Sequence, residues 1–158
     1  MVRIEMEDGG VITIALDHDA APKTVENFEK LVSEGFYDGL IFHRVIRGFM
    51  IQGGDPTGTG MGGADENIVG EFALNGHPNP ISHKRGVISM ARAQDFNSAS
   101  SQFFIVHEDA PYLDEQYAAF GHVVDGMDVV DEIANVPTGY KDRPRTDMRM
   151  KKVTLVED

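Results

Sequence analysis

The sequence predicts an all-β protein with two helices, a run of short strands closing into a barrel whose ends the helices plug. Apolar residues recur at helical spacing in only two places, and the interval 35–121 holds brief apolar runs broken by Gly, Pro, Asn and Asp. The chain also opens as a hairpin: Val2, Ile4 and Met6 alternate with Arg3, Glu5 and Glu7, Asp8-Gly9-Gly10 reverses direction, and Val11-Ile12-Thr13-Ile14-Ala15-Leu16 returns as a second strand. Pro22 suits the first turn of a helix, Val25, Phe28, Leu31 and Val32 share one face, and Gly35 provides a left-handed stop. Strand-like runs follow at Ile41-Phe42, Gly86-Val87-Ile88-Ser89-Met90 and Gln102-Phe103-Phe104-Ile105-Val106. A second helix is predicted at Met127–Ala134 with Val130, Ile133 and Ala134 inward, then a turn-rich stretch at 137–144 and a closing strand around 152–156.

At 158 residues the chain suffices for one sizeable core, so residues 1–158 read as a single domain. No stretch reaches the roughly eighteen apolar residues of a membrane span, and MVRIEMEDGG has no signal-type apolar run, so a cytoplasmic protein with no membrane partner is expected. The absence of cysteine excludes disulfides, thiolate ligands and a cysteine nucleophile. Asp and Glu total 26 against 14 Lys and Arg, a formal net charge of −12 that repels polyanions and removes nucleic acid from the expected partners. That charge reads as a solvated, self-repelling surface, and a monomer is expected.

Three motifs invite a function and fit it poorly. Gly58-Thr59-Gly60-Met61-Gly62-Gly63 matches the dinucleotide fingerprint, but Pro56 precedes it and Ala64-Asp65-Glu66-Asn67 follows without a helical face, so it reads as a flexible glycine loop with no cofactor. The six histidines include no H-x-x-x-H or H-E-x-x-H pair, and no metal site is expected. A Ser–His–Asp triad has its residue types available, but there is no G-x-S-x-G elbow.

The segment 42–55, FHRVIRGFMIQGGD, sets a cation and an amide among large apolar side chains. Core packing accounts for Phe42, Val45 and Ile51 but not for Arg44 and Gln52, whose burial is costly unless each is paired or meets a ligand. A structural salt bridge to Arg44 and a ligand site both satisfy that requirement. The segment resembles the signature of the cyclophilins, in which FHR, GFM and QGGD recur together. Gly60-Met61-Gly62-Gly63, Ser89-Met90-Ala91, Ser101-Gln102-Phe103-Phe104-Ile105, Leu113-Asp114 and Phe120-Gly121 follow in that family's order, so the resemblance spans nearly the whole chain. The stretch Met90-Ala91-Arg92-Ala93-Gln94-Asp95 is most similar to the small bacterial-type members.

The resemblance implies an eight-stranded antiparallel closed β-barrel with a helix over each end, and peptidyl-prolyl cis/trans isomerase activity that assists protein folding without a cofactor. Its partners would be proline-containing peptides and unfolded or folding proteins. Arg44 takes the catalytic role and Gln52 orients it, while Phe49, Met50, Phe104 and Leu113 line the pocket for the proline ring. Ala91 and the main chain of Arg92 bind the peptide as an added strand, and Gly60, Ala93 and Gln102 border the pocket for the preceding residue. Three positions depart from many eukaryotic members: Arg92 replaces Asn, Tyr112 replaces Trp and Tyr117 replaces His. Peptide binding at Arg92 should survive, because the backbone is used there, and the Tyr117 hydroxyl still polarises a neighbour. Tyr112 should leave only weak cyclosporin binding. A proline-segment-binding chaperone without turnover would use the same groove, but gains little from a charge beside the rotating nitrogen.

Overall fold

The computed structural model describes residues 1–157. Its elements in chain order are β1 (Val2–Met6), β2 (Val11–Leu16), α1 (Pro22–Ser33), β3 (Arg44–Ile46), β4 (Met50–Gly53), β5 (Val87–Met90), β6 (Phe103–Val106), β7 (Ala119–Asp125), α2 (Met127–Ala134) and β8 (Met150–Leu155). The opening hairpin and both helices lie where the sequence pattern sets them. In α1 the apolar face Val25, Phe28, Leu31 and Val32 is buried, and Gly35 follows the helix at φ 74°, a left-handed conformation that glycine adopts without steric cost. β7 carries no clear alternation and was marked in the sequence only by Phe120-Gly121. The closing strand begins at Met150, two residues before its expected start.

The eight strands form one antiparallel sheet in the order β3-β4-β6-β5-β7-β2-β1-β8. Register shifts at Glu5/Met6, Thr13/Ile14 and Ile88/Ser89 add local twist and help the sheet curl. The expected closed barrel is corrected here: the sheet is a curled half-barrel, and its edge strands β3 and β8 do not pair. The segment 39–42 lies along β8 instead, through Gly39 N–H to Met150 C=O, Met150 N–H to Leu40 C=O and Phe42 N–H to Met148 C=O at 2.8, 2.8 and 3.0 Å. Ile41 and Arg149 form a single bridge, so Ile41-Phe42 is a seam and not a strand. Three-residue β3 is too short to extend a ladder across the gap, and Arg44 stands on the resulting edge. Among the described residues no helix is long and apolar enough to cross a membrane.

Alternation along the central strands divides the apolar residues into two bodies. Ile51, Phe103 and Ile105 face the main core with α1 and α2, where Phe28 lies 5.1 Å from the Tyr37 and Phe120 rings and 5.6 Å from Phe103. Met50, Phe104 and Val106, each one position away, face outward into a smaller cluster with Val87, Ala110 and Ala119. That second cluster floors the candidate site.

The glycine-rich loop is organised by a carboxylate. Asp55, 1% exposed, accepts hydrogen bonds from the Thr57, Thr59, Gly60 and Gly62 N–H groups at 2.8, 3.2, 2.6 and 3.1 Å, and from the Thr57 hydroxyl at 2.8 Å. A side chain at Gly62 would collide with this carboxylate. Burial opposes ionisation of Asp55, but the Thr57, Gly62 and Gly60 donors together outweigh it and hold the carboxyl at about 2, against its ordinary 3.8. A depressed carboxyl contributes stability that is complete above about pH 4 and lost as pH falls through about 2. Asp55→Asn should therefore lower Tm at neutral pH, with its gap from wild type closing between about pH 4 and pH 2 in thermal melts. A gap independent of pH would show that the charge plays no part.

Candidate active site

The β3–β4 hairpin builds one wall of a groove. Its register sets Arg44 directly opposite Gln52, and β4 sets Gln52 opposite Phe104 on β6. Arg44 Nη1 donates to Gln52 Oε1 at 3.3 Å, Gln52 Nε2 donates to Gln102 Oε1 at 2.9 Å, and Gln102 Nε2 donates to the Gly60 and Gly62 carbonyls at 3.0 and 2.8 Å. Each amide has one orientation that satisfies this chain, so the guanidinium fixes both glutamines in turn. Arg44 makes no ion pair among the described residues. The salt-bridge alternative for Arg44 is therefore not what the structure contains.

Beside Arg44 and Gln52 lies a cavity of about 140 Å³ lined by Phe49, Met50, Phe104, Leu113 and Tyr117, with Ala91 and Arg92 at its mouth. A neighbouring cavity of about 280 Å³ shares Gln52, Ala91 and Arg92 and adds Gly60, Ala93 and Gln102, together with Met61, Gly62, Ser98 and Ser100, which the sequence reading did not assign to the site. Tyr112 stands apart from the first cavity, 64% exposed, its ring 6.0 Å from that of Phe49. Every other residue the sequence assigned to the site lines one of these two cavities.

The model for the family described as cyclophilin type peptidyl-prolyl cis-trans isomerase/CLD matches residues 1–155. The chain belongs to this family. It is 45% identical over 150 residues to a peptidyl-prolyl cis-trans isomerase-like 1 of Neurospora crassa, covering 94% of this chain and 90% of that protein. It is 48% identical over 130 residues to peptidyl-prolyl cis-trans isomerase B of Bacillus subtilis, covering 82% and 87%. A crystal structure of a Cryptosporidium parvum cyclophilin type isomerase, determined in the presence of the dipeptide ala-pro, superposes with a TM-score of 0.90 at 34% identity over 99% of both chains. The protein is a cyclophilin-type peptidyl-prolyl cis-trans isomerase, in a sheet that curls without closing.

Three supports of this cyclophilin groove escaped the sequence reading. Behind Phe104, His83 and Ser89 are buried and form a Ser–His–Asp alignment with Asp114: His83 Nδ1 lies 2.8 Å from Asp114 and Nε2 lies 2.9 Å from the Ser89 hydroxyl. A carboxylate only accepts, so Nδ1 carries the proton and Ser89 donates to Nε2. Burial lowers the His83 pKa against the opposing pull of Asp114, which keeps the ring neutral. With Ser89 fully buried, this is not a nucleophile; the relay stacks His83 at 6.0 Å behind Phe104 and anchors the 110–114 segment beside Leu113. On the opposite side of the pocket, His107 accepts from Gly48 N–H at 2.9 Å and contacts Asp131 at 3.0 Å, holding the turn that carries Phe49.

The third support is the Arg92 side chain. Its guanidinium lies 4.7 Å from the Tyr117 ring centroid and 5.0 Å from those of Phe72 and Phe96, and it donates to the Gln116, Ala93 and Gln94 carbonyls. The side chain thus ties the 91–98 loop to the wall at 116–117, while the Arg92 backbone N–H and C=O take no partner among the described residues. The lone cation in a run of small residues, four before Phe96, was the available signal. Loss of these contacts should loosen the wall without touching the guanidinium of Arg44. Arg92→Ala is expected to raise KM about tenfold, equivalent to roughly 1.4 kcal/mol, with kcat nearly unchanged, and Arg92→Lys to rescue it only in part. An unchanged KM would remove Arg92 from the support of the groove.

Proposed function

We propose that Arg44 is the catalytic residue of this isomerase and that Gln52 orients it. The carrying observation is a guanidinium on a sheet edge, free of carboxylates, with one donor turned to Gln52 beside an apolar cavity. Rotation about an X-Pro bond is opposed by C–N resonance, a barrier of roughly 18–20 kcal/mol. In the twisted state the proline nitrogen becomes pyramidal and gains a lone pair, to which Arg44 donates a hydrogen bond that the planar ground state receives weakly. One such preorganised donor contributes about 2.7–4 kcal/mol, and the remainder comes from holding the proline ring among Phe49, Met50, Phe104 and Leu113, away from the water that stabilises the planar amide.

The substrates in this reading are proline-containing segments of unfolded or folding proteins in the cytoplasm. The unpaired backbone of Arg92 supports their binding as an added strand beside Ala91, with Gly60, Ala93 and Gln102 bounding the pocket for the preceding residue. Tyr117, its ring 5.8 Å from Phe104, completes the wall where other members carry His. Tyr112 contributes at the rim, outside the proline cavity, so cyclosporin binds weakly while catalysis persists.

Two variants test these assignments. Arg44→Ala should lower kcat/KM on a short X-Pro peptide by about two to three orders of magnitude, with circular dichroism unchanged. Near-normal turnover in the folded variant would overturn the role of Arg44, and wild-type binding of the peptide without turnover would favour a chaperone. Tyr112→Trp should tighten inhibition by cyclosporin about tenfold to a hundredfold through a restored indole donor. Equal inhibition constants would discharge Tyr112 from that role.

A further inference from the structure

A third cavity, of about 610 Å³, adjoins the opposite side of Arg44 and Gln52, between the 58–61 loop and the turn at 140–143. Met61 and Tyr140, 90% and 86% exposed, are the two most exposed large apolar side chains among the described residues, and both stand on its rim. The turn is strained. Lys141 and Asp142 occupy consecutive left-handed conformations, φ 58° and 60°, held by Gly139 N–H to Arg143 C=O at 2.8 Å and Asp142 N–H to Gly139 C=O at 3.1 Å. Side-chain-bearing residues adopt such backbone at a cost and are concentrated where a site requires it.

The lining is cationic on an anionic protein. Arg44, Lys141 and Arg143 face the cavity with Asp142 as the one acidic member, in a chain of net charge −12. Arg143 is engaged, donating to the Gly58 carbonyl at 2.7 Å and approaching Asp147 at 3.5 Å. Lys141 makes no ion pair among the described residues, its ammonium lying 5.5 Å from the Tyr140 ring centroid.

We propose that this cavity is a subsite for the carboxylate of an Asp or Glu carried by the substrate peptide near the rotating X-Pro bond, with its neighbouring chain packed between Met61 and Tyr140. The proposal rests on the isomerase site, because the peptide reaches the cavity across Arg44. The cations attract the carboxylate at short range, whereas the field of the whole chain repels an acidic peptide. An acidic residue should therefore help at one position of the peptide and not at the others.

The test is a set of uncharged X-Pro peptides in which Glu replaces Gln at one position at a time on either side of the proline, assayed at about 20 mM and about 500 mM salt. At one position Glu should raise kcat/KM about two- to fivefold over Gln at low salt, and the gain should vanish at high salt. In Lys141→Glu the same peptide should become poorer than its Gln counterpart. Glu that is no better than Gln anywhere, or a gain that survives Lys141→Glu, would overturn the subsite while isomerisation of the Gln peptides continues. No turnover of the Gln peptides would overturn the isomerase site, and the subsite with it.

Discussion

The register of β4 against β6 is the constraint on which both the core and the groove depend. Ile51 pairs with Ile105 and both face inward, while Met50 with Val106 and Gln52 with Phe104 face outward. A slip of one residue would exchange the two faces, exposing the main core on one side and burying Gln52 on the other. The adjacent aromatics Phe103 and Phe104 make the consequence concrete. Phe103 packs edge-on against Phe28, Tyr37 and Phe42, and Phe104 lies on the pocket floor against Tyr117. The packing energy of the aromatic core therefore also holds the outer pocket in its alignment.

Failure of the sheet to close serves the same site. Were β3 paired with β8, Arg44 would lie within a ladder; at the edge it is bounded by Gln52 on one side and by loops on the other. Those loops are anchored individually, the glycine loop by the Asp55 carboxylate and the 91–98 loop by the caged guanidinium of Arg92. Each anchor uses a charged side chain with its hydrogen bonds directed at backbone groups, so a loop without regular structure acquires a defined position.

Legibility in the sequence followed the range of the interactions. The hairpin, α1 and α2 are set by alternation, by apolar spacing and by Pro22 and Gly35, all local, and they could be read directly. The segment 42–55 stood out because Arg44 and Gln52 do not fit a strand that only packs, and the structure sets both beside the apolar cavity. Asp55 had a local cue in Thr57 two residues on, a turn-forming pattern. By contrast, His83 meets Asp114 across 31 residues and Arg92 meets Gln116 across 24, and nothing near either residue in the chain announces its partner. Closure of the sheet was misread for the same reason, since it depends on how segment 39–42 meets β8.

The distribution of aromatic side chains gives the molecule an optical character of its own. It has no tryptophan and four tyrosines, of which Tyr37 is sealed in the core while Tyr112, Tyr117 and Tyr140 stand around the groove. Near-ultraviolet absorption and emission therefore come mainly from phenol rings at the groove, which a peptide bound as proposed would desolvate. On that proposal, occupancy of the groove is readable in the intrinsic spectrum with an unlabelled ligand.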